Sequence, residues 1–544
     1  MPVPIMLEDT SDLRRQLRRR HAALKTERQP WLEFCRQVAE ELMPSRLPYL
    51  ADPFAMQQGG QQNRHICDGA GHLALDTAAA GITHGTMPEA SKWFDLVIRG
   101  LFGDDDDLKL FLEEGGTRLL AMHNQSNASL TFPDLTKEWL GFGVAAGLLV
   151  EDDEDGFRVD AMTVGQYCIA EDSRGRVDTC YREYTQTVGQ LAEEFGKDRL
   201  CPSSLAAYDR GDYDQVVRCV HAIEPDREEW NSDDLPWRSV YWEESSDATQ
   251  VLDVRGFRRF PVLVWRFSRL PGQAYGHGRG MDALPHLVRL RKMIYRYGQA
   301  MAKQADPPTQ GPPGLQAHEV KALPGGHTSV FGGQEIKPLY PVPLRLQELA
   351  EEIRNTKQDI RDTLGATLVA SLRSLRHQMT AREADLRTTQ DLQEFLPGLA
   401  RQREELLNPY IEWLWDRAMD MGMLPEPPSS LAGQTIDIEY SSPLARKQRS
   451  EEVDAIVRTY AIAAEIFKVR PDVVDNLDPD TAIRIVQKIE GAPMGVIAPI
   501  EEVRKLRASR AQTQLAQQQA AAAQQGVDIA RGAAEATQRL QAVG

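Results

Sequence analysis

The sequence predicts an α+β chain, mainly helical. Two long amphipathic periodicities bracket a segment dense in Pro and Gly (306–342), and a run of short β-branched or aromatic stretches fills about 157–267. Helical periodicity lies on both sides of that run, so the strands form an antiparallel insert between helical parts.

Taken in order, residues 8–43 read as a helix, with Trp31, Phe34, Val38 and Leu42 at three- and four-residue spacing before Pro44 stops it. A Gln/Gly-rich loop at 57–62 precedes an Ala-rich helix over 66–86. Further helices are expected at Asp107–Met122 and Leu135–Leu148. Strands follow at Phe157–Met162, Tyr167–Glu171, Val177–Tyr184, Val216–Ile223, Ser239–Glu244 and Pro261–Phe267, each bounded by Gly, Asp or Pro. After the turn Gly276-His277-Gly278-Arg279-Gly280, read as a flexible joint, a long helix covers 282–305. Its apolar stripe is Leu284, Leu287, Leu290, Ile294, Tyr297 and Met301. Helix resumes over 344–364 with Leu346, Leu349, Ile353, Ile360 and Leu364 on one side. Both stripes are narrow, as for helices that pack beside copies of themselves. A long helix is expected from Thr380 to Gly422, a strand at Thr435–Tyr440 and helices to Leu506, one of them N-capped at Asp478-Pro479. The Ala/Gln-rich tail, 508–544, has high helix propensity and few core residues.

With 544 residues the chain has material for more than one core. Its 42% hydrophobic and 26% charged residues are those of a folded protein. No run of about eighteen apolar residues occurs, so no membrane span is expected, and the N-terminus lacks an apolar signal core. A net charge of −17 argues against a protein that wraps nucleic acid, because gripping phosphates requires Lys and Arg. It still permits a surface past which DNA slides. Two acidic runs, Asp104–Asp107 and Glu151–Asp155, read as solvated turns. Cys35, Cys67, Cys168, Cys180, Cys201 and Cys219 are scattered without metal-ligand spacing, and are read as free thiols in a reducing compartment.

Motifs of catalysis are missing from the sequence. There is no G-x-x-x-x-G-K-[ST] and no G-x-S-x-G, and His318-Glu319 lacks the second His of a zinc-protease helix. No catalytic residue, cofactor site or metal site is therefore assigned.

Four ordered segments carry a likeness. They are Arg64–Asp68 with Ala78–Ile82, Met87-Pro88 and Ser91–Leu96; Tyr275–Pro285 running into Lys303–Pro308; Met379–Glu383 with Leu407-Asn408-Pro409; and Glu439–Ala445. Together, across roughly 20–505, they resemble the head-to-tail connector (portal) family of short-tailed bacteriophages. The resemblance implies a portal-type ring subunit, in a dodecamer at one capsid vertex, built in the bacterial cytoplasm and kept in the virion. The implied partition is a wing (1–278 and 379–440), stem helices (279–305 and 343–364) and a clip (306–342). A tunnel loop (365–378), a crown (441–507) and a C-terminal helix or barrel (508–544) complete it. Implied partners are other copies, double-stranded DNA without sequence readout, the terminase large subunit, a tail adaptor, and capsid and scaffolding proteins. Another non-enzymatic head-tail adaptor ring is the alternative. The stretch Leu368–His377 lacks the Pro-Gly turn that the resemblance leads one to expect there.

Two groups of cations are candidates for the channel. Arg289, Lys292, Arg296 and Lys303 share one helix face through spacings of three, four and seven. In a ring they would form basic bands, or else a solvent-facing or ion-paired helix side. Arg373, Arg376 and His377 would place a circle of charge at a constriction, or else pack against a neighbour.

Overall fold

In the computed structural model the chain divides into two units, residues 1–442 and 443–544. The structure describes residues 10–55, 66–98, 106–152, 154–227, 235–305, 309–310, 337–338, 346–369, 393–431, 434–467, 470, 476–490, 503–514 and 517.

Helix α1 (Ser11–Leu42) is long because its apolar positions recur every three or four residues. Its first half lies on a five-stranded antiparallel sheet, with Leu13, Leu17 and Leu24 against Tyr181, Val220, Val240 and Trp242. A short α2 (Leu47–Ala51) and the Ala-rich α3 (Ala70–Thr86) follow. Strand β1 (Phe94–Ile98) leads to α4 (Asp106–Gln125) and α5 (Ala128–Phe142). Next come β2 (Val144–Asp152), β3 (Gly156–Met162), β4 (Tyr167–Glu171) and β5 (Val177–Thr187). Two small helices, α6 (Val188–Phe195) and α7 (Pro202–Asp209), precede β6 (Val216–Pro225), β7 (Trp237–Glu243), β8 (Asp253–Phe257) and β9 (Val262–Arg266). The strand orders are β4-β5-β6-β7-β8 and β3-β2-β9.

Alternation along the strands gives the larger sheet two buried faces. Cys168, Tyr181, Val220 and Ala222 point at α1. Their neighbours Ile169, Cys180 and Ile223 point the other way, onto Val144, Ala146, Leu148, Val262 and Val264 of the three-stranded sheet. Helices α6 and α7 cover the far end of that second face through Val188, Leu191, Phe195 and Ala207. A separate aromatic core joins the helices: Trp93, His123, Phe132, Phe157, Trp265 and Tyr410 make edge and stacked contacts.

Each strand expected over 157–267 is present, and the insert holds more strand than its local pattern predicts. Val144–Leu148 is strand, where helix was expected. Gly143 adopts φ +84° and ends α5, and the apolar run after it is buried on both faces, a pattern that periodicity cannot separate from helix. Strands β1 and β8 and helices α6 and α7 were also missed. Each is short, and β1 is completed only by distant β12 (Ile436–Tyr440), with Phe94 opposite Tyr440 and Ile98 opposite Ile436. Of the acidic run Glu151–Asp155, Glu151 and Asp152 end β2, and Glu154 and Asp155 lie in the turn to β3, where Asp152 accepts from the backbone N–H groups of Glu154 (2.9 Å) and Asp155 (3.2 Å).

The Gly-rich turn at 276–280 is a close backbone crossing, where a flexible joint was expected. A Cβ on Gly278 would lie 2.3 Å from the Gly143 nitrogen, and one on Gly280 would lie 2.4 Å from the Gly141 oxygen. Only glycine fits at either chain. The turn feeds α8 (Arg279–Ala305), and α9 (Leu346–Leu364) returns beside it. Between them the described residues include a two-residue pairing of β10 (Thr309–Gln310) with β11 (Lys337–Pro338).

Downstream, residues 393–402 are helical, 403–407 form a π-helical turn, and α10 covers Asn408–Asp420. Pro409 explains the wide turn. It has no N–H to give residue 405, and the Asn408 N–H reaches back to the Arg403 oxygen instead.

The second unit contains α11 (Pro443–Phe467), α12 (Pro479–Glu490) and a helical stretch at 503–514. Asp478 caps α12 as expected, accepting from the backbone N–H of Asp480 (3.1 Å) and of Thr481 (3.2 Å).

Candidate functional site

The α8–α9 hairpin is the candidate, and its two halves differ. At its root, Leu287 packs on Gly71 of α3, where a glycine Cβ would sit 2.6 Å from the leucine methyl. Arg291 pairs with Glu41 of α1 at 2.7 Å, and Lys357 pairs with Asp68 at 2.6 Å. Leu287 and Leu290 are buried. Cover then fades along the stripe: Ile294 and Tyr297 are half-buried and Met301 is 48% exposed.

Three contacts brace α8 against α9. Arg289 pairs with Glu352, His286 Nδ1 stands 3.9 Å from an Asp359 oxygen, and Thr356 Oγ1 is 3.9 Å from Met293 Sδ. Arg289 is thus engaged within its own chain. Lys292 and Arg296 are exposed, and Arg296 donates to Gln299 Oε1 at 3.1 Å. Lys303 lies in α8, but its side chain is outside the described residues, as are Arg373, Arg376 and His377.

The first part of the expected tunnel loop is described. Gly365 turns the chain with φ +86°, and 366–369 are again helical. Leu368 and Val369 are buried, and a Cβ on Gly81 would fall 2.2 Å from Val369. These residues are held against α3.

Sequence reasoning missed a buried ionic clasp. The Arg266 side chain, 1% exposed, meets Glu171 at the end of β4 and Glu405 in the π turn, with Nη2 2.6 Å from Glu405 Oε1. It also donates to the Ala274 oxygen (3.1 Å) and the Gly175 oxygen (3.0 Å). Burial alone would lower the Arg266 pKa; the two carboxylates outweigh it and hold it above the ordinary value. No local pattern announces such a triad, because its members lie 95 and 139 residues apart.

The sequence profile of the family described as bacteriophage head to tail connecting protein matches residues 14–497. The chain belongs to that family. This connector is 31% identical over 537 residues to the probable portal protein of Bordetella phage BPP-1, with 96% of each chain covered. It is 30% identical over 507 residues to the portal protein of Salmonella phage epsilon15, with 91% of each covered. Its role is that of a phage portal, the head-to-tail connector. Among the described residues of the connector, no group of His, Cys, Asp and Glu is arranged to hold a metal ion, and no helix is long and apolar enough to cross a membrane.

Proposed function

We propose that this chain is one subunit of a dodecameric portal ring that conducts double-stranded DNA during packaging and ejection and catalyses nothing itself. The observation that carries the reading is the hairpin, whose apolar stripe is rooted in the body of the subunit and loses its cover toward the tip. Identical neighbours around an axis would supply that cover.

On this reading α8 and α9 are the stem, 306–342 the clip and 365–378 the tunnel loop. The wing is 1–278 with 379–440, the crown 441–507, and 508–544 a helix or barrel beyond it. The clip meets the terminase large subunit, which supplies the energy, and afterwards a tail adaptor. Capsid and scaffolding proteins surround the ring at the virion vertex, after assembly in the bacterial cytoplasm. Arg373, Arg376 and His377 would touch DNA through its backbone, weakly enough to release it. For Arg289, Lys292, Arg296 and Lys303 two placements fit: bands facing phosphates, or a helix side that faces solvent or is ion-paired with a neighbouring subunit. The Arg289–Glu352 pair within the chain counts against Arg289 facing phosphates.

Light scattering with negative-stain imaging of the purified protein tests the reading. A closed ring of about twelve subunits is expected. A stably folded monomer would overturn it.

A further inference from the structure

The outer faces of the two hairpin helices carry opposite charge. On α8, at about 100° per residue, Tyr295, Lys292, Gln299 and Arg296 fall within about 100° of one another, on the side away from the buried stripe. Lys292 and Arg296 form no ion pair among the described residues. On α9 the corresponding outer arc holds Gln347, Glu348, Glu351, Asn355, Gln358 and Asp362, all exposed. Its cations lie elsewhere: Lys357 is turned inward to Asp68, and Arg354 and Arg361 sit at the arc's edge. Glu351 makes no ion pair among the described residues.

The braces from Arg289 to Glu352 and from His286 to Asp359 fix the register of the hairpin. They put Glu351 at the level of the α8 turn 292–296. In a head-to-tail ring the same level of each copy meets its neighbour.

We infer that the outer face of α8 docks on the outer face of α9 of a second copy of this chain, with Lys292 and Arg296 flanking the neighbour's Glu351 and Tyr295 wedged beside them. The inference presupposes the proposed ring. It deepens that reading by assigning the α8 cations to the joint between subunits. The exposed aromatic adds apolar contact area where the charges set the register.

The test uses charge reversal in the full-length chain, read by light scattering against protein concentration. The double variant Lys292→Glu with Arg296→Glu is expected to raise the concentration for half-assembly by about tenfold or more, since attraction becomes repulsion in every joint. Adding Glu351→Lys to that double variant is expected to restore rings, which a merely misfolded subunit would not do. Circular dichroism of each variant reports folding separately. Rings that form normally in the double variant would overturn the inference, as would a triple variant that stays dissociated. If the unmodified chain forms no ring, the portal-ring reading fails first and the inference with it.

Discussion

Arg266 and Glu405 form a two-point contact. The arginine backbone N–H donates to Glu405 Oε2 at 2.8 Å, and its Nη2 lies 2.6 Å from Oε1. With Glu171 on the other side, this guanidinium joins β9, the end of β4 and the π turn that precedes α10. The π turn caused by Pro409 is where Glu405 stands, so a backbone irregularity and a buried charge belong to one device. Arg266→Ala should destabilise the first unit by about 1–3 kcal/mol: both carboxylates lose their buried partner, but Glu171 keeps Arg269 at 2.9 Å and Glu405 keeps Arg401 at 3.2 Å. Chemical denaturation followed by near-ultraviolet circular dichroism measures it.

Acid should weaken the fold through two buried histidines. Burial pushes the pKa of His123 down to about 4, and burial with the charges of Lys25, Arg28 and Arg18 takes His21 to about 3. Both stay neutral when folded but take up a proton below about 6.5 when unfolded. The unfolded chain therefore binds more protons in that window, and stability falls as pH drops from about 6.5 toward 3–4. Each contributes a loss of about 2 kcal/mol by pH 5. His123→Gln should flatten the pH 7 to pH 5 slope in urea titrations; an unchanged slope would refute the assignment.

Gly278→Ala should cost about 3 kcal/mol, since the added methyl meets the Gly143 backbone at a crossing that cannot open. Gly272→Ala is the control for strain without crowding: Gly272 has a positive φ (+81°), but nothing lies within 4 Å of its added Cβ. Thermal melts should separate the two, with Gly278→Ala the lower.

Arg373→Ala combined with Arg376→Ala should leave rings assembled while DNA packaging or retention falls. Nuclease protection of packaged DNA in a phage complementation assay measures it. Full retention by the double variant would count against the DNA contact.

Much of the fold was legible because its signals are local. The α8 stripe announces itself from Leu284 to Met301, and the strands from Phe157 to Phe267 are bounded by turn residues. The misses are non-local. Strand β1 exists because Phe94 pairs with Tyr440, 346 residues away by number, and Val144–Leu148 became strand because β3 and β9 flank it. The site was half read. The α8 cations were visible through their spacing, but the acidic arc of α9 was overlooked beside its more obvious leucines, and only the cross-helix braces set the two at one level.

The most direct measurement is a cryo-EM map of the purified assembly resolving the α8–α9 hairpins. A closed ring is expected, with the hairpins around the axis and Lys292 and Arg296 beside the next subunit's Glu351. A chain that stays monomeric, or a ring whose hairpins stand apart from one another, would contradict it.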